Sequence, residues 1–392
     1  AARAFYLIQR QLAKPHEILI LAYNKNAATE LEQRISYRIG PEVSIKTFHK
    51  LGSDIISESR GVKPSVANSE EDELGKKLSI QRLLSNASRD KAFAGKLLNF
   101  FTNYLVPYQD ITSFTNEQGY LEYLAKNELR SLNGEKVKSY GELLIANYLY
   151  LNGVDYKYEA KYEYETATPY KRTYKPDFWL PKCGIYIEYL ALDRKGETPP
   201  FILQKKYTDE LKWKQELHRK KKTVMAEIRC YHTMEGNLEV ELQKVLDKHG
   251  VTLNPIPKKE VFSKLKEFGE ITRFANLLGT FLSHYKSNKW TINSLEQKAR
   301  QAASPDRNLA FLEIFNEIHA AYERALIEQD AIDFDDMIAK AVDYIEQGEF
   351  RSSYKHILVD EFQDISRGRA KLLKALRQSS GDTTLFCVGD DW

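Results

Sequence analysis

Two adjacent carboxylates, Asp360 and Glu361, come directly after a short apolar run at residues 357–359 of the 392-residue sequence. Such a run is typical of a buried parallel strand, and ligands bind at the carboxyl ends of strands in open α/β sheets. A carboxylate at the first position suits Mg²⁺ bound to ATP, and one at the second suits a general base that orients water. The structural alternative is an acidic helix N-terminus.

A second set of carboxylates lies in the middle of the chain. Asp177 opens a predicted strand at residues 178–180, Glu188 lies in the next predicted strand at residues 185–190, and Glu142 lies in a preceding predicted helix. If the strands are adjacent and antiparallel, Asp177 and Glu188 share one metal ion. Clustered carboxylates bind Mg²⁺ and activate water against a phosphodiester.

Short strands and helices alternate at both ends of the chain. The N-terminal part predicts a helix at residues 1–12, a strand at 18–21, a helix at 27–39 and a strand at 43–45 that leads to a terminal loop at 47–49. The C-terminal part predicts a strand at 357–359, a helix at 368–377 and a strand at 385–388. This alternation indicates an α/β layer. We expect the two ends to form one parallel sheet.

The long middle segment has a different character. Residues 61–72 predict a surface loop, and residues 74–132 and 258–347 have helical periodicity. Between them, an α+β block is predicted from a helix at residues 141–151, strands at 156–164, 178–180, 185–190 and 223–229, and a basic helix at 207–222. The order indicates an α/β domain interrupted by a long insertion.

Five strings in the sequence resemble motifs of UvrD/Rep-type helicases of superfamily 1. DEFQD at residues 360–364 resembles the Walker B box, and the other strings stand in the family's order: YNKNAATEL at 23–31, TFHKLG at 47–52, IDFDDM at 332–337 and VGDD at 388–391. The resemblance implies an incomplete RecA-like (P-loop NTPase-like) parallel sheet domain. It also implies ATP as substrate, Mg²⁺ as cofactor, and single-stranded and duplex DNA as partners.

The resemblance also implies roles for individual residues. Tyr23 would stack on a base, which contributes roughly 1–3 kcal/mol, and Asp360 would hold the Mg²⁺ of ATP. The alternatives are that Tyr23 is an ordinary rim tyrosine and that Thr47 and His49 cap the following helix. The full implied sets are Tyr23, Asn24, Thr47, Phe48 and His49 for DNA contact, and Gln363 and Asp390 for sensing ATP.

The α+β block resembles the PD-(D/E)XK nuclease fold. YKPDF at residues 174–178 and IYIEY at 185–189 are similar to the nuclease-like insertion found in relatives of bacterial helicase IV. The family's lysine, two residues after the glutamate, is Leu190 here, and Lys214 on the basic helix is the best-placed substitute. The alternative is a degenerate domain that only binds DNA or supports the motor.

These resemblances predict five segments. Residues 1–60 and 331–392 form the two parts of the RecA-like domain, residues 61–135 and 251–330 are helical insertions, and residues 136–250 form the restriction-endonuclease-like α+β domain. The string G-x-x-x-x-G-K-[ST], which cradles ATP phosphates, is absent from the 392 residues. We therefore expect a truncated fragment that does not hydrolyse ATP, from a parent ATP-dependent DNA helicase. A DNA repair nuclease and a non-catalytic DNA-binding scaffold are the alternatives.

Composition sets broader limits. The net charge of +3 does not by itself indicate a nucleic-acid binder, but eight Lys and Arg residues within 205–222 suit phosphate contacts. The three cysteines, Cys183, Cys230 and Cys387, match no metal spacing and fit a reducing compartment. No apolar run approaches 18 residues, so we expect a cytoplasmic protein without a membrane partner.

Overall fold

The computed structural model of the protein describes residues 1–39, 43–67, 73–169 and 172–390. In chain order the elements are α1 (Ala2–Gln9), β1 (Ile18–Ala22), α2 (Lys25–Ile39), β2 (Ser44–Thr47), α3 (Phe48–Arg60), α4 (Glu73–Ala87), α5 (Lys91–Asn103), α6 (Glu117–Asn127), α7 (Tyr140–Leu151), β3 (Lys157–Tyr158), β4 (Phe178–Leu180), β5 (Ile185–Leu190), α8 (Gln204–Lys221), β6 (Val224–Arg229), α9 (Cys230–Met234), α10 (Leu238–Lys248), α11 (Lys258–Glu267), α12 (Glu270–Ser287), α13 (Ile292–Arg300), α14 (Pro305–Glu328), α15 (Phe334–Glu346), β7 (His356–Val359), α16 (Arg367–Ser380) and β8 (Thr384–Cys387).

The chain divides into two compact units. Unit 1 comprises Ala1–Asn86, Phe274–Gln297 and Phe315–Trp392, and unit 2 comprises Ala87–Arg273 and Lys298–Ile314. Unit 1 therefore contains both ends of the chain, and unit 2 contains the α+β block. The five predicted segments are finer than this division and stay a prediction.

Unit 1 is built on a four-stranded sheet in the order β2-β1-β7-β8, in which every pair is parallel. Leu21 of β1 is in register with Val359 of β7. The prediction that both ends of the chain share one parallel sheet is confirmed.

Both faces of this sheet are covered, which explains the continuous apolar sequence of β1. Leu19 and Leu21 pack into a core with α3, α15 and α16, whereas Ile18 and Ile20 pack against α1 and α2 on the opposite face. Because successive strand residues point to opposite faces, β1 contributes side chains to the hydrophobic core on each face of the sheet. Unit 1 is therefore a three-layer α/β/α structure.

Unit 2 contains a second sheet in the order β3-β4-β5-β6. The pairs β3–β4 and β4–β5 are antiparallel, and β5–β6 is parallel. One face packs on α7 and α10 through the core that includes Ile187 and Leu242. The other face carries Tyr186, which packs with Trp213 and Leu217 of α8. The elements α7, β3, β4, β5, α8 and β6 follow one another along the chain.

Two sequence predictions of local structure are wrong. The predicted strand at residues 156–164 is reduced to Lys157–Tyr158, because Glu159 adopts a positive φ of 47°. The alternating tyrosines there serve two clusters: Tyr156 and Tyr158 pack on Phe178, whereas Tyr162 packs with other aromatic rings.

The second wrong prediction is the terminal loop at residues 47–49. Thr47 is the last residue of β2, and α3 begins at the next residue, so strand and helix adjoin without a loop. Part of the loop predicted at residues 61–72 lies outside the described residues, as does Asp391 of the last motif.

Within the described part of the chain, none of the helices combines the length and apolar character needed to cross a membrane.

Candidate functional site

The predicted motor residues of unit 1 follow the carboxyl ends of neighbouring strands. Because all four strands are parallel, these ends lie at the same edge of the sheet. The backbone N–H of Asp360 donates to the carbonyl of Leu21 at 3.0 Å, which ties the segment after β7 to the end of β1. The residues at this edge are Tyr23 and Asn24 after β1, Phe48 and His49 after β2, Asp360 and Glu361 after β7, and Asp390 after β8.

The segment that carries the paired carboxylates is held by a small hydrogen-bond network. Gln363 donates from Nε2 to Oε2 of Glu361 at 2.6 Å, and its Oε1 accepts from the N–H of Asp390 at 3.0 Å. A Cβ at position 389 would overlap Oε1 of Gln363, so Gly389 permits this close approach. Gln363 thus links the segment after β7 to the segment after β8.

Glu361 takes an unusual backbone conformation, with φ 51° and ψ 50°. Non-glycine residues in this left-handed region are uncommon and cluster at functional sites. Glu361 occupies the N-cap position of a 3-10 turn at Phe362–Asp364, but its side chain accepts no capping hydrogen bond there. The longer helix α16 is capped by Ser366, whose Oγ accepts from the N–H of Arg369.

A cleft of about 950 Å³ opens beside these segments in unit 1. Its wall is rich in cationic side chains, which are Lys25, Lys46, Lys50, Lys76, Lys286, Lys289, Arg369 and Lys371. The acidic lining residues are fewer, namely Glu32, Asp335 and Asp364. Tyr23 and His49 also line the cleft. A basic groove with aromatic side chains suits a single nucleic-acid strand.

The predicted DNA-contacting residues differ in their hydrogen bonds and in their exposure. Asn24 caps α2 by accepting the N–H of Ala27 at 2.8 Å, and Thr47 caps α3 by accepting the N–H of Lys50 at 3.2 Å. The capping alternative therefore holds for Thr47. Phe48 is buried, with 1% of its surface exposed, whereas Tyr23 is 41% exposed.

His49 does not cap α3; it stacks on Phe334, with ring centroids 4.2 Å apart. Burial, reinforced by the nearby charge of Arg369, lowers the pKa of His49 to about 4, against the opposing effect of Asp335 and Asp333. The imidazole is therefore neutral at physiological pH, and its contribution to a DNA contact is not that of a cation.

A buried ion network forms one wall of the cleft. Lys286 contacts Asp333 at 2.7 Å and Asp336 at 2.9 Å, while Lys76 contacts Asp335 at 2.6 Å. Asp333 is fully buried and also accepts from Tyr322. Burial, followed by the charge of Asp333, raises the pKa of Asp336 to about 6.

The motifs in the sequence do not identify Lys76 and Lys286, the two cations of this network. The string at residues 332–337 was singled out, but nothing in the sequence links it to Lys76 or Lys286. Arg369 was missed as well, although it lies only five residues after the DEFQD string. The sequence feature that could have identified Arg369 is its position in the first turn of the helix that follows the paired carboxylates.

The two strands that flank the predicted carboxylates of unit 2, β4 and β5, pair antiparallel. Phe178 of β4 is in register with Ile187 of β5, so the register continued by one residue places Asp177 opposite Glu188. Directly opposite residues have Cβ atoms about 4.5–5.5 Å apart. Asp177 also accepts the N–H of Tyr189 at 2.7 Å. Burial, with the charge of Glu188 next, raises the pKa of Asp177 well above its ordinary value.

Lys214 reaches the same place from α8. Its Nζ lies 2.6 Å from Oε2 of Glu188, and Tyr174 donates its hydroxyl to Oε1 at 2.5 Å. Glu188 is 1% exposed, so its charge is held almost entirely by these two groups. Burial alone would lower the pKa of Lys214, but the Glu188 carboxylate raises it above the ordinary value.

Glu142 is held separately at the start of α7. It accepts hydrogen bonds from Tyr158 at 2.5 Å and from Ser139 at 2.9 Å. A Cβ at Gly141 would overlap the ring of Tyr189, so the glycine allows α7 to approach β5. Burial raises the pKa of Glu142. Over the described ranges, no three His, Cys, Asp or Glu side chains form a group that could hold a metal ion, and all three cysteines are free.

The architecture of unit 1 is consistent with a RecA-like helicase domain: a parallel sheet covered on both faces, with paired carboxylates after one strand and a basic cleft at the same edge. The sequence profile of the UvrD/REP helicase N-terminal domain matches residues 1–175 and 187–391. The chain belongs to the UvrD/REP helicase family.

Two curated relatives illustrate the similarity. The chain is 56% identical over 72 residues to DNA helicase IV of Escherichia coli (strain K12), a match that covers 18% of this chain and 10% of that protein. It is 37% identical over 79 residues to the putative ATP-dependent DNA helicase YjcD of Bacillus subtilis (strain 168), covering 19% of this chain and 10% of that protein. The matched segments thus span about a tenth of either relative.

Proposed function

We propose that the chain supplies part of the motor of an ATP-dependent DNA helicase, which couples ATP hydrolysis to movement along single-stranded DNA and to strand separation. The observation that carries this proposal is the shared sheet edge. Asp360 and Glu361 follow β7, and the adjacent strand β1 ends at Tyr23 beside the basic cleft. Nucleotide chemistry and strand contact are therefore only one strand apart.

Asp360 and Glu361 fit a site for Mg²⁺ bound to ATP. Hard divalent cations prefer oxygen ligands, and Mg²⁺ commonly uses one or two protein carboxylates together with substrate phosphates. Glu361 is exposed and Asp360 is partly exposed, and no described cationic side chain forms an ion pair with either. Bound Mg²⁺ would neutralise charge that develops on the transferred phosphoryl group.

Within this proposal each residue has a defined task. Asp360 holds the metal. Glu361 orients and deprotonates the attacking water, and Gln363 holds the Glu361 carboxylate in place. Because Gln363 also accepts from Asp390, a change in the Glu361 environment is transmitted to the segment after β8. Tyr23 stacks on a base, while the lysines of the cleft contact phosphates.

The test is DNA binding by the chain itself. Labelled oligothymidylate should bind with an affinity that falls steeply as salt is raised, because phosphate contacts release counterions. Tyr23→Ala should weaken binding about tenfold, as expected for the loss of one stacked base. Tyr37→Ala, at a tyrosine that is 93% exposed and outside the cleft, is the matched control and should not change the affinity. Equal affinities for the two variants would contradict the proposal.

A second candidate function concerns unit 2, which we propose is a PD-(D/E)XK nuclease-like domain. The favouring observation is that Lys214 contacts Glu188, while the register of β4 and β5, continued by one residue, sets Asp177 opposite Glu188. The order α7-β3-β4-β5-α8-β6 supports the same assignment. Two carboxylates suit a divalent cation, and a lysine beside them suits stabilisation of charge on a phosphodiester. The basic face of α8 would contact duplex DNA.

Incubation of the chain with linear and circular DNA in Mg²⁺ or Mn²⁺ tests this second function. Cleavage that is lost in both Asp177→Ala and Lys214→Ala is the expected result. DNA binding without cleavage would instead favour a degenerate domain with a supporting role.

A further inference from the structure

Arg369 occupies a place in unit 1 that none of the helicase motifs assigns. It lies in the first turn of α16, the helix that follows the Asp360–Glu361 segment. Its guanidinium carbon lies 5.0 Å from the ring centroid of Tyr23 and 5.5 Å from that of Phe48. Arg369, in the helix that follows β7, thus contacts one residue after β1 and one residue after β2.

The charge of Arg369 is available for a ligand. It lines the cleft and is partly exposed, and no carboxylate in the described part of the chain forms an ion pair with it. A guanidinium carries five N–H donors along its edge, and a contact with an aromatic ring does not occupy them as a carboxylate would. A planar, always charged group with free N–H donors suits a phosphate.

Most other cations of the cleft are already paired. Lys46 and Lys50 both contact Asp54, at 2.8 and 2.6 Å. Lys289 contacts Asp343 at 2.5 Å, and Lys76 and Lys286 belong to the buried ion network. Binding a phosphate at these lysines would compete with an existing carboxylate. Arg369 has no such competitor.

We propose that Arg369 binds a backbone phosphate of the single strand in the cleft and braces the ring of Tyr23 for base stacking. It thereby connects strand binding to the helix that follows the paired carboxylates. This inference rests on the proposed function of the cleft, which it deepens by naming the phosphate anchor. The ligand class is a phosphodiester of single-stranded DNA, and Arg369 acts on base stacking as a positioning residue.

The phosphate contact is tested by the salt dependence of oligothymidylate binding to the full chain. For single strands, the slope of log K against log salt changes by about 0.7 for each phosphate contact. Arg369→Ala should weaken binding about tenfold and reduce the slope by about 0.7. Arg377→Ala, at an exposed arginine of the same helix outside the cleft, should change neither quantity.

The bracing role is tested by Arg369→Lys and by a double-mutant cycle with Tyr23→Ala. The lysine keeps the charge but cannot stack as a plane, so the salt slope should persist while affinity falls about threefold. The combined Arg369→Ala and Tyr23→Ala variant should lose less affinity than the product of the single losses, because the two side chains act together. Thermal unfolding of each variant reports whether the fold is intact.

The outcomes separate this inference from the proposed function. Unchanged affinity and slope in a folded Arg369→Ala variant, with Tyr23→Ala still defective, overturn the role of Arg369 and leave the cleft assignment standing. If the wild-type chain and Arg377→Ala both fail to bind oligothymidylate, the function proposed for the cleft fails. A reduced affinity with an unchanged salt slope would overturn the phosphate contact.

Discussion

The paired acids of unit 1 and those of unit 2 are built in opposite ways. Glu361 is exposed, and its described side-chain hydrogen bond is to a neutral amide, that of Gln363. Glu188 is buried against a lysine and a tyrosine hydroxyl. The first arrangement leaves a carboxylate open to an incoming ligand. The second satisfies the carboxylate within the protein.

The carboxylates of the two units therefore differ in how far they depend on a ligand. A buried carboxylate must be paired, because desolvation of an isolated charge is costly. Unit 2 meets that requirement with Lys214, so the Glu188 carboxylate is satisfied without a ligand. In unit 1, the carboxylates need no internal partner, since solvent reaches them. The two sites should therefore respond differently to the loss of one group.

The largest effect is expected from Glu361→Gln, measured in the ATP-dependent helicase to which we propose this chain contributes. Removing a general base costs roughly 10²–10⁴-fold in rate, so DNA-stimulated ATP hydrolysis should fall by that factor. The fold should be unaffected, because the carboxylate is exposed. ATP turnover with oligothymidylate, together with thermal unfolding, provides the two measurements. Glu346→Gln, at an exposed glutamate of α15, is the control. A variant that retains turnover would remove Glu361 from the proposed chemistry.

The next largest effect is a loss of unfolding free energy caused by a substitution in unit 2. Lys214→Met leaves the buried Glu188 charge without its ion-pair partner, and breaking such a pair costs about 3–5 kcal/mol. We expect the lower end, because the Lys214 side chain is 20% exposed. Urea unfolding measures the loss. Adding Glu188→Leu should restore most of it, since no uncompensated charge remains.

The matched control for this prediction is Lys220→Met on the same helix. Lys220 pairs with Glu216 at 3.8 Å, and both side chains are largely exposed. Exposed pairs contribute about 0–1 kcal/mol. Equal losses for Lys214→Met and Lys220→Met would remove the contrast drawn between the two acid sites.

A third prediction is that a divalent cation stabilises unit 2 through Asp177 and Glu188, which the unfolding free energy measures. If Asp177 and Glu188 share a metal ion, Mn²⁺ at 100 times its dissociation constant should add about 2.7 kcal/mol to the free energy of unfolding. Asp177→Asn should abolish that gain, because an amide is a weaker ligand. Asp155→Asn, at a carboxylate that is 54% exposed, should preserve it. A gain that persists in Asp177→Asn would place the ion elsewhere.

Much of the fold could be predicted from the sequence, because the deciding signals are local. The runs at residues 18–21 and 357–359 are apolar at every position, which is typical of a strand covered on both faces. The predicted strand at residues 156–164 failed for a physical reason. Its tyrosines alternate because two separate aromatic clusters need them, and Glu159 interrupts the pairing.

For the candidate sites, too, some contacts could be predicted from local sequence signals and others could not. The spacing of Asp177 and Glu188 indicated that they oppose each other, because strand register is set by a short turn. Lys214 was expected as the substitute for the lysine that Leu190 replaces, and it contacts Glu188. The contacts of Arg369 with Tyr23 and Phe48 could not be predicted, because they depend on how α16 packs beside strands that are distant in sequence.

The last prediction is a pH dependence that compares one histidine from each unit. Burial lowers the pKa of His49 to about 4, with Arg369 contributing next. Burial lowers the pKa of His218 to about 4 as well, with Lys214 contributing next. The unfolded chain titrates near the ordinary value of about 6.5. Between these values the unfolded state binds more protons than the folded state.

Stability should therefore fall as pH is lowered from about 6.5 towards 4, with a limiting slope of about 1.36 kcal/mol per pH unit for each histidine. Nearby carboxylates titrate in the same range, and the raised pKa values of Asp177 and Asp336 act in the opposite direction. The quantity to compare is therefore the pH profile of the unfolding free energy in each variant and in the wild type.

His49→Gln and His218→Gln should each flatten the profile of unfolding free energy against pH. Because the two residues belong to different units, the double variant should show the sum of the two changes. A profile that stays parallel to wild type in His218→Gln would show that this imidazole is solvated, and would weaken the contrast between a closed acid site in unit 2 and an open one in unit 1.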